Sequence, residues 1–193
     1  MTDPEQMKHY DTRAGQWYRW QSTARHFVCA ANCLLDWYEP MLTDVGRPRD
    51  AEWHYSSYSP LMVLYAAAVE NLLKAVRIAQ GTAATAGGEI HPYLGKHDML
   101  KYAQDASIAT TPDESDLLQK LRDVIESGKY PVAKAPDKSM GAWTFEYPRD
   151  VERLWAILER LEEALRATGK PCLGHLDLRR LCRRKDGAPT EVI

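Results

Sequence analysis

Apolar residues recur at steps of three and four along most of this chain. Trp17, Trp20, Ala24, Phe27, Ala31, Leu34 and Tyr38 form one such stripe, and that period predicts a helix with one buried face. The helix is expected over residues 11–38, with Pro40 as its stop. Residues 60–80 begin apolar on every side, from Leu61 through Val69. A helix tolerates that only when neighbours surround it, so this one belongs at the centre of a bundle. Ser59 is its expected cap, Pro60 its first residue and Gly81 its C-terminal stop.

Three more helices follow from the same pattern. A short one is expected over 97–107, burying Leu100 and Ala103. Thr111-Pro112-Asp113-Glu114 reads as a capping box, and Leu117, Leu118, Leu121, Val124 and Ile125 form the apolar face behind it, closed by Gly128. Leu154, Leu158, Leu161 and Leu165 are the stripe of a last long helix over 148–168, with Glu162 and Arg166 paired one turn apart on its outside. Between them, 82–96 reads as a loop rich in glycine and threonine, and 129–147 as an ordered loop anchored by Trp143 and Phe145. Nothing alternates with period two for long enough to require a sheet. The expectation is all-α: an antiparallel bundle of about five helices.

Length and composition fit that picture. The chain has 193 residues, 45% hydrophobic and 27% charged, the balance of one globular domain. It divides into a helix and loop over 1–58, a bundle core over 59–168 and a basic tail over 169–193. The net charge of −2 excludes a general polyanion binder, although Arg179, Arg180, Arg183, Arg184 and Lys185 crowd the tail. No run of about 18 apolar residues is present, so no membrane span is expected, and the polar start lacks the pattern of a secretory signal. Cys29, Cys33, Cys172 and Cys182 are few and scattered. Reduced thiols in a cytoplasmic protein are therefore the expectation.

Several segments in order resemble the HEPN family of helical bundles. Ala68-Val69-Glu70-Asn71-Leu72-Leu73-Lys74-Ala75 is similar to that family's alanine-rich helix with a glutamate and a lysine. His97-Asp98-Met99-Leu100 looks like the start of its next helix, and Gly128-Lys129-Tyr130-Pro131 like its Gly-Arg-Tyr-Pro element. The resemblance covers about residues 60–165. It implies an up-and-down bundle that forms a homodimer and works on RNA, without a cofactor, either as a metal-independent ribonuclease of a toxin–antitoxin or defence system or as a binding subunit that has lost the catalytic residues. A protein partner such as an antitoxin belongs to the same implication.

The family's nuclease motif pairs an arginine with a histidine a few residues on, on a late helix. Here the late helix lacks it: none of Arg149, Arg153, Arg160 and Arg166 has a histidine four to seven positions on. Arg49 and His54 match the spacing before the central helix. A histidine supplies a base near neutral pH, and an arginine can neutralise charge growing on a phosphate; as bland alternatives, both are solvated loop residues. His97, Lys129 and Tyr130 are candidate binding residues, against capping and turn-forming roles. Arg179, Arg180, Arg183 and Arg184 are candidate phosphate contacts, against a solvated tail. Glu70, Lys74 and Arg77 read as an ion-paired outer or interfacial face. Cys29 and Cys33 would offer zinc two thiolates, yet no second close pair completes a site, so buried small side chains in a helix interface are the better reading.

Overall fold

The structure, a computed structural model, describes residues 3–43, 51–86, 88–128 and 145–182; for 41–43, 51–59, 86 and 127–128 it describes the backbone alone. Six helices lie in these residues: α1 (Pro4–Ala14), α2 (Trp17–Thr43), α3 (Ala51–Ala79), α4 (Met99–Asp105), α5 (Pro112–Gly128) and α6 (Arg149–Ala167). α3 packs against α2, α4, α5 and α6. Tyr65, Ala66, Ala68, Val69, Leu72 and Leu73 on it are at most 1% exposed. The all-round apolar run from Leu61 is thus the hub of the core, as its lack of a polar face requires.

The helices differ from the expectation mainly at their ends. α1 was not anticipated. Asp3 caps it, accepting from the Glu5 N–H, Pro4 takes the first turn and Gly15 ends it, so the predicted helix over 11–38 is two helices broken at residues 15–16. No α1 residue is buried, and a helix without a buried face leaves no periodic signal. Pro40 lies inside α2, and Pro60 inside α3, which starts nine residues earlier, at Ala51. Ser59 therefore lies inside α3 and not at its start. Each proline removes one ladder N–H from its helix. In the 82–96 loop, β1 (Thr85–Ala86) and β2 (Glu89–Ile90) pair antiparallel. The capping box forms as read: the Glu114 N–H donates to Thr111 Oγ1 at 3.2 Å and the Thr111 N–H to Glu114 Oε2 at 2.9 Å.

Residues 171–182, read as the start of a solvated tail, are strapped along α2. Trp17 Nε1 donates to the Pro171 carbonyl, Gln21 Oε1 accepts from the Leu173 N–H, and Asn32 Nδ2 donates to the carbonyls of Leu178 and Leu181. Cys29 and Cys182 are joined by a disulfide. Trp17, Gln21, Arg25, Cys29 and Asn32 follow one another at steps of four and three, so one stripe of α2 holds the strap while Ala24, Val28, Ala31 and Leu35 face the core. The expected reduced, buried cysteines are corrected accordingly: Cys29 is oxidised, Cys33 is an exposed free thiol and Cys172 a half-buried one. A sulfur held in a disulfide is also no zinc thiolate.

Candidate functional site

Among the described residues, three buried ionic clusters tie helices to their neighbours, besides buried Asp150 at the start of α6, which pairs with Arg153. Glu162 is buried rather than outward-facing: Gln21 and the guanidinium of Arg25 both donate to it, and Arg166 stands 3.9 Å away. This pair fixes α6 against α2. Glu114, buried at the start of α5, takes a bidentate contact from Arg160. Those guanidinium hydrogen bonds, helped by the Thr111 N–H, hold its carboxyl below the ordinary glutamate value despite desolvation. The third cluster sits on α3. Glu70 and Lys74, both buried, form an ion pair one turn apart, and His97 Nδ1 lies 3.0 and 3.1 Å from the two oxygens of Glu70. The expected outer face is thus an inner one at Glu70 and Lys74. Arg77 reaches across to the Asp105 carbonyl.

Lys74 carries this cluster to the edge of an open cleft. Its ammonium stands 5.6 Å from the centre of the Trp20 ring, close enough for a cation–π contact. The Trp20 indole N–H donates to the Ala14 carbonyl at 2.8 Å, pinning the end of α1 against α2. Between α1, α2 and α3 lies a cleft of about 430 Å³, lined by His9, Tyr10, Arg13, Arg19, Trp20 and Asn71 together with Ala14 and Thr23. Two guanidiniums, an imidazole, two aromatic rings and an amide face one space, and no carboxylate lines it among the described residues. Among the described residues Arg13 has no carboxylate within ion-pair distance, and Arg19 bonds only to the neutral amide of Gln16. That set suits an anion carrying a flat apolar ring: the arginines take the charge and the rings stack. The volume falls in the range of small-ligand sites.

A second cleft, under the strap, has the opposite character. Glu159, Glu162, Glu163 and Asp177 line it with Arg166, Arg179 and His175, and carboxylates that outnumber the arginines two to one disfavour a phosphate.

The residues singled out in the sequence mostly lie elsewhere. Arg49, Lys129, Tyr130, Arg183 and Arg184 fall outside the described residues. His54 is in the first turns of α3, on a helix rather than in a loop, with its side chain outside the description. His97 does not cap α4; Asp98 does, accepting from the Lys101 N–H. The imidazole instead ties the segment before α4 to Glu70. Arg179 forms a two-point contact with Glu159, at 2.7 and 3.2 Å, and lies over the Trp155 ring; the contact to Glu159 raises its already high pKa. Arg180 pairs with Asp177 and is well exposed. Of the cleft residues the sequence reading includes Trp20, as part of an apolar stripe, and Asn71, within the alanine-rich HEPN-like segment. The available signal for the rest was local: Asp3-Pro4 as a helix start, Gly15 as its end, and His9 and Arg13 one turn apart between them.

No protein-family model, no curated protein and no solved structure matches this chain.

Proposed function

We propose that this chain is a HEPN-like helical bundle that acts on RNA and holds a single-stranded segment in the cleft between α1, α2 and α3. The observation that carries the reading is the lining of that cleft, where Arg13, Arg19 and His9 surround Tyr10 and Trp20 with no carboxylate among them. Arginines matched to phosphate and rings matched to bases are how proteins hold unpaired RNA. The order of HEPN-like segments over residues 60–165 supports the same assignment. Metal-independent cleavage falls to Arg49 and His54 in this reading, with His54 as the base and Arg49 on the phosphate. A homodimer, with a protein partner such as an antitoxin, completes it.

A second reading, that of an inactive interaction or regulatory subunit, is favoured by Trp37. Its side chain is 62% exposed and meets Tyr38 edge-on, with ring centres 4.8 Å apart. An exposed tryptophan is a common anchor of protein contacts, and half-buried Tyr38 seats this one on the core.

Tyr10 separates the two. It lies on α1, is 39% exposed and supports no core residue, so Tyr10→Ala leaves the fold intact. In a fluorescence-anisotropy titration with a labelled single-stranded oligoribonucleotide, the variant is expected to bind about 5- to 150-fold more weakly, the worth of one stacked base at about 1–3 kcal/mol. Equal affinity for both proteins would remove the cleft from RNA binding.

A further inference from the structure

The strap holds a group of sulfurs that the RNA reading does not use. Cys29 on α2 is bonded to Cys182 at the strap's end, with 5.0 Å between their Cα atoms. One turn further along α2, Cys33 is an exposed free thiol, and its Sγ lies 3.4 Å from the carbonyl oxygen of Cys182 itself. Cys182 has a φ of +59°, a left-handed conformation that a residue with a Cβ adopts at a cost. Asn32, between the two helix cysteines, holds the carbonyl of Leu181 immediately before it. Two thiol positions on one helix face thus flank a single strained partner.

We propose that Cys29, Cys33 and Cys182 form a thiol–disulfide exchange site in which Cys182 pairs alternately with Cys29 and Cys33. The Cys33 thiolate attacks Sγ of Cys182. The Cys29–Cys182 bond breaks as the Cys33–Cys182 bond forms, and the electron pair leaves on Cys29 as a thiolate. Cys29 takes up a proton equivalent to the one Cys33 gave up. One disulfide and one thiol stand on each side, so the step consumes no oxidant or reductant. Because the Cys33 Sγ already lies 3.4 Å from the Cys182 carbonyl oxygen, the exchange moves Cys182 by less than the roughly 6 Å rise of four helix residues.

Thiol counting with a chromogenic disulfide reagent, joined to peptide mapping without reduction, tests this on the full chain. The chain has four cysteines. Cys29→Ser, refolded with a small-molecule disulfide, is expected to show one free thiol, Cys172, and a peptide linking Cys33 to Cys182. In wild type, rapid alkylation and fragmentation of the peptide holding residues 29 and 33 is expected to find alkyl groups on Cys33 in most molecules and on Cys29 in the rest. Three free thiols in Cys29→Ser, or a link to Cys172, overturns the proposal. So does wild-type alkylation confined to Cys33, a reading that stands even where the variant fails to fold.

Discussion

Glu114 shows how much one residue of this chain does. Its carboxylate closes the capping box of α5 on the Thr111 N–H and takes both arms of Arg160 from α6. The sign of its pH dependence follows. A carboxyl held below its ordinary value of 4.5 in the folded state adds stability that is present above that value and lost as pH falls through the lower, folded one. Glu114→Gln is therefore expected to lose about 1–2 kcal/mol at pH 7, a figure kept small because Arg160 is 39% exposed. The gap to wild type should close as pH falls below 4.5 and through the lower, folded value in chemical denaturation; a gap unchanged with pH would mean the cap and not the charge matters. This residue was legible from sequence because Thr-x-x-Glu before an apolar run is a local pattern. Its partner Arg160, 46 positions away, was not, since no local pattern encodes a tertiary ion pair. Glu162 was misread for the same reason: Arg166 is its neighbour one turn on, but Arg25 is its closest ionic partner.

At the scale of elements, α2 serves two faces. The core stripe of Ala24, Phe27, Ala31 and Leu34 stands out by periodicity. The strap stripe does not, because Trp17, Gln21, Arg25 and Asn32 are polar or mixed, and their partners are mainly backbone groups of residues 171–182. Asn32 ends that stripe. It is fully buried, accepts from the Tyr65 hydroxyl at 2.8 Å and donates to two strap carbonyls at 2.8 and 2.9 Å. Asn32→Leu leaves those groups without their partner at a cost of about 3 kcal/mol, and the melting temperature should fall by about 10 °C for a domain of this size. Hydrogen exchange is expected to rise first in residues 171–182. A variant that melts within about 2 °C of wild type, with the strap still protected, would show that the disulfide alone holds it. The same two-face logic explains α1, whose residues touch the cleft rather than the core.

For the molecule as a whole, the helical class was readable because α3 has no polar face from Leu61 to Val69 and four other helices each carry an apolar stripe. The binding surface was not, because it is assembled from three helices, and one of them, α1, buries nothing. Two expectations follow for function. RNA incubated with purified protein in excess chelator is expected to be cut by wild type and spared by a folded His54→Ala variant, which keeps its affinity; equal cutting by both would take His54 out of the chemistry, and no cutting by either would favour the interaction subunit. The more direct test concerns the cleft itself. Binding of a single-stranded oligoribonucleotide is to be measured over a series of salt concentrations, for wild type and for Arg13→Ala/Arg19→Ala. Each phosphate contact on a single strand contributes about 0.7 to the slope of log affinity against log salt, so loss of two lowers the slope by about 1.4. That drop, with weaker binding at low salt, is the predicted result; identical slopes and affinities would contradict the assignment of this cleft to RNA.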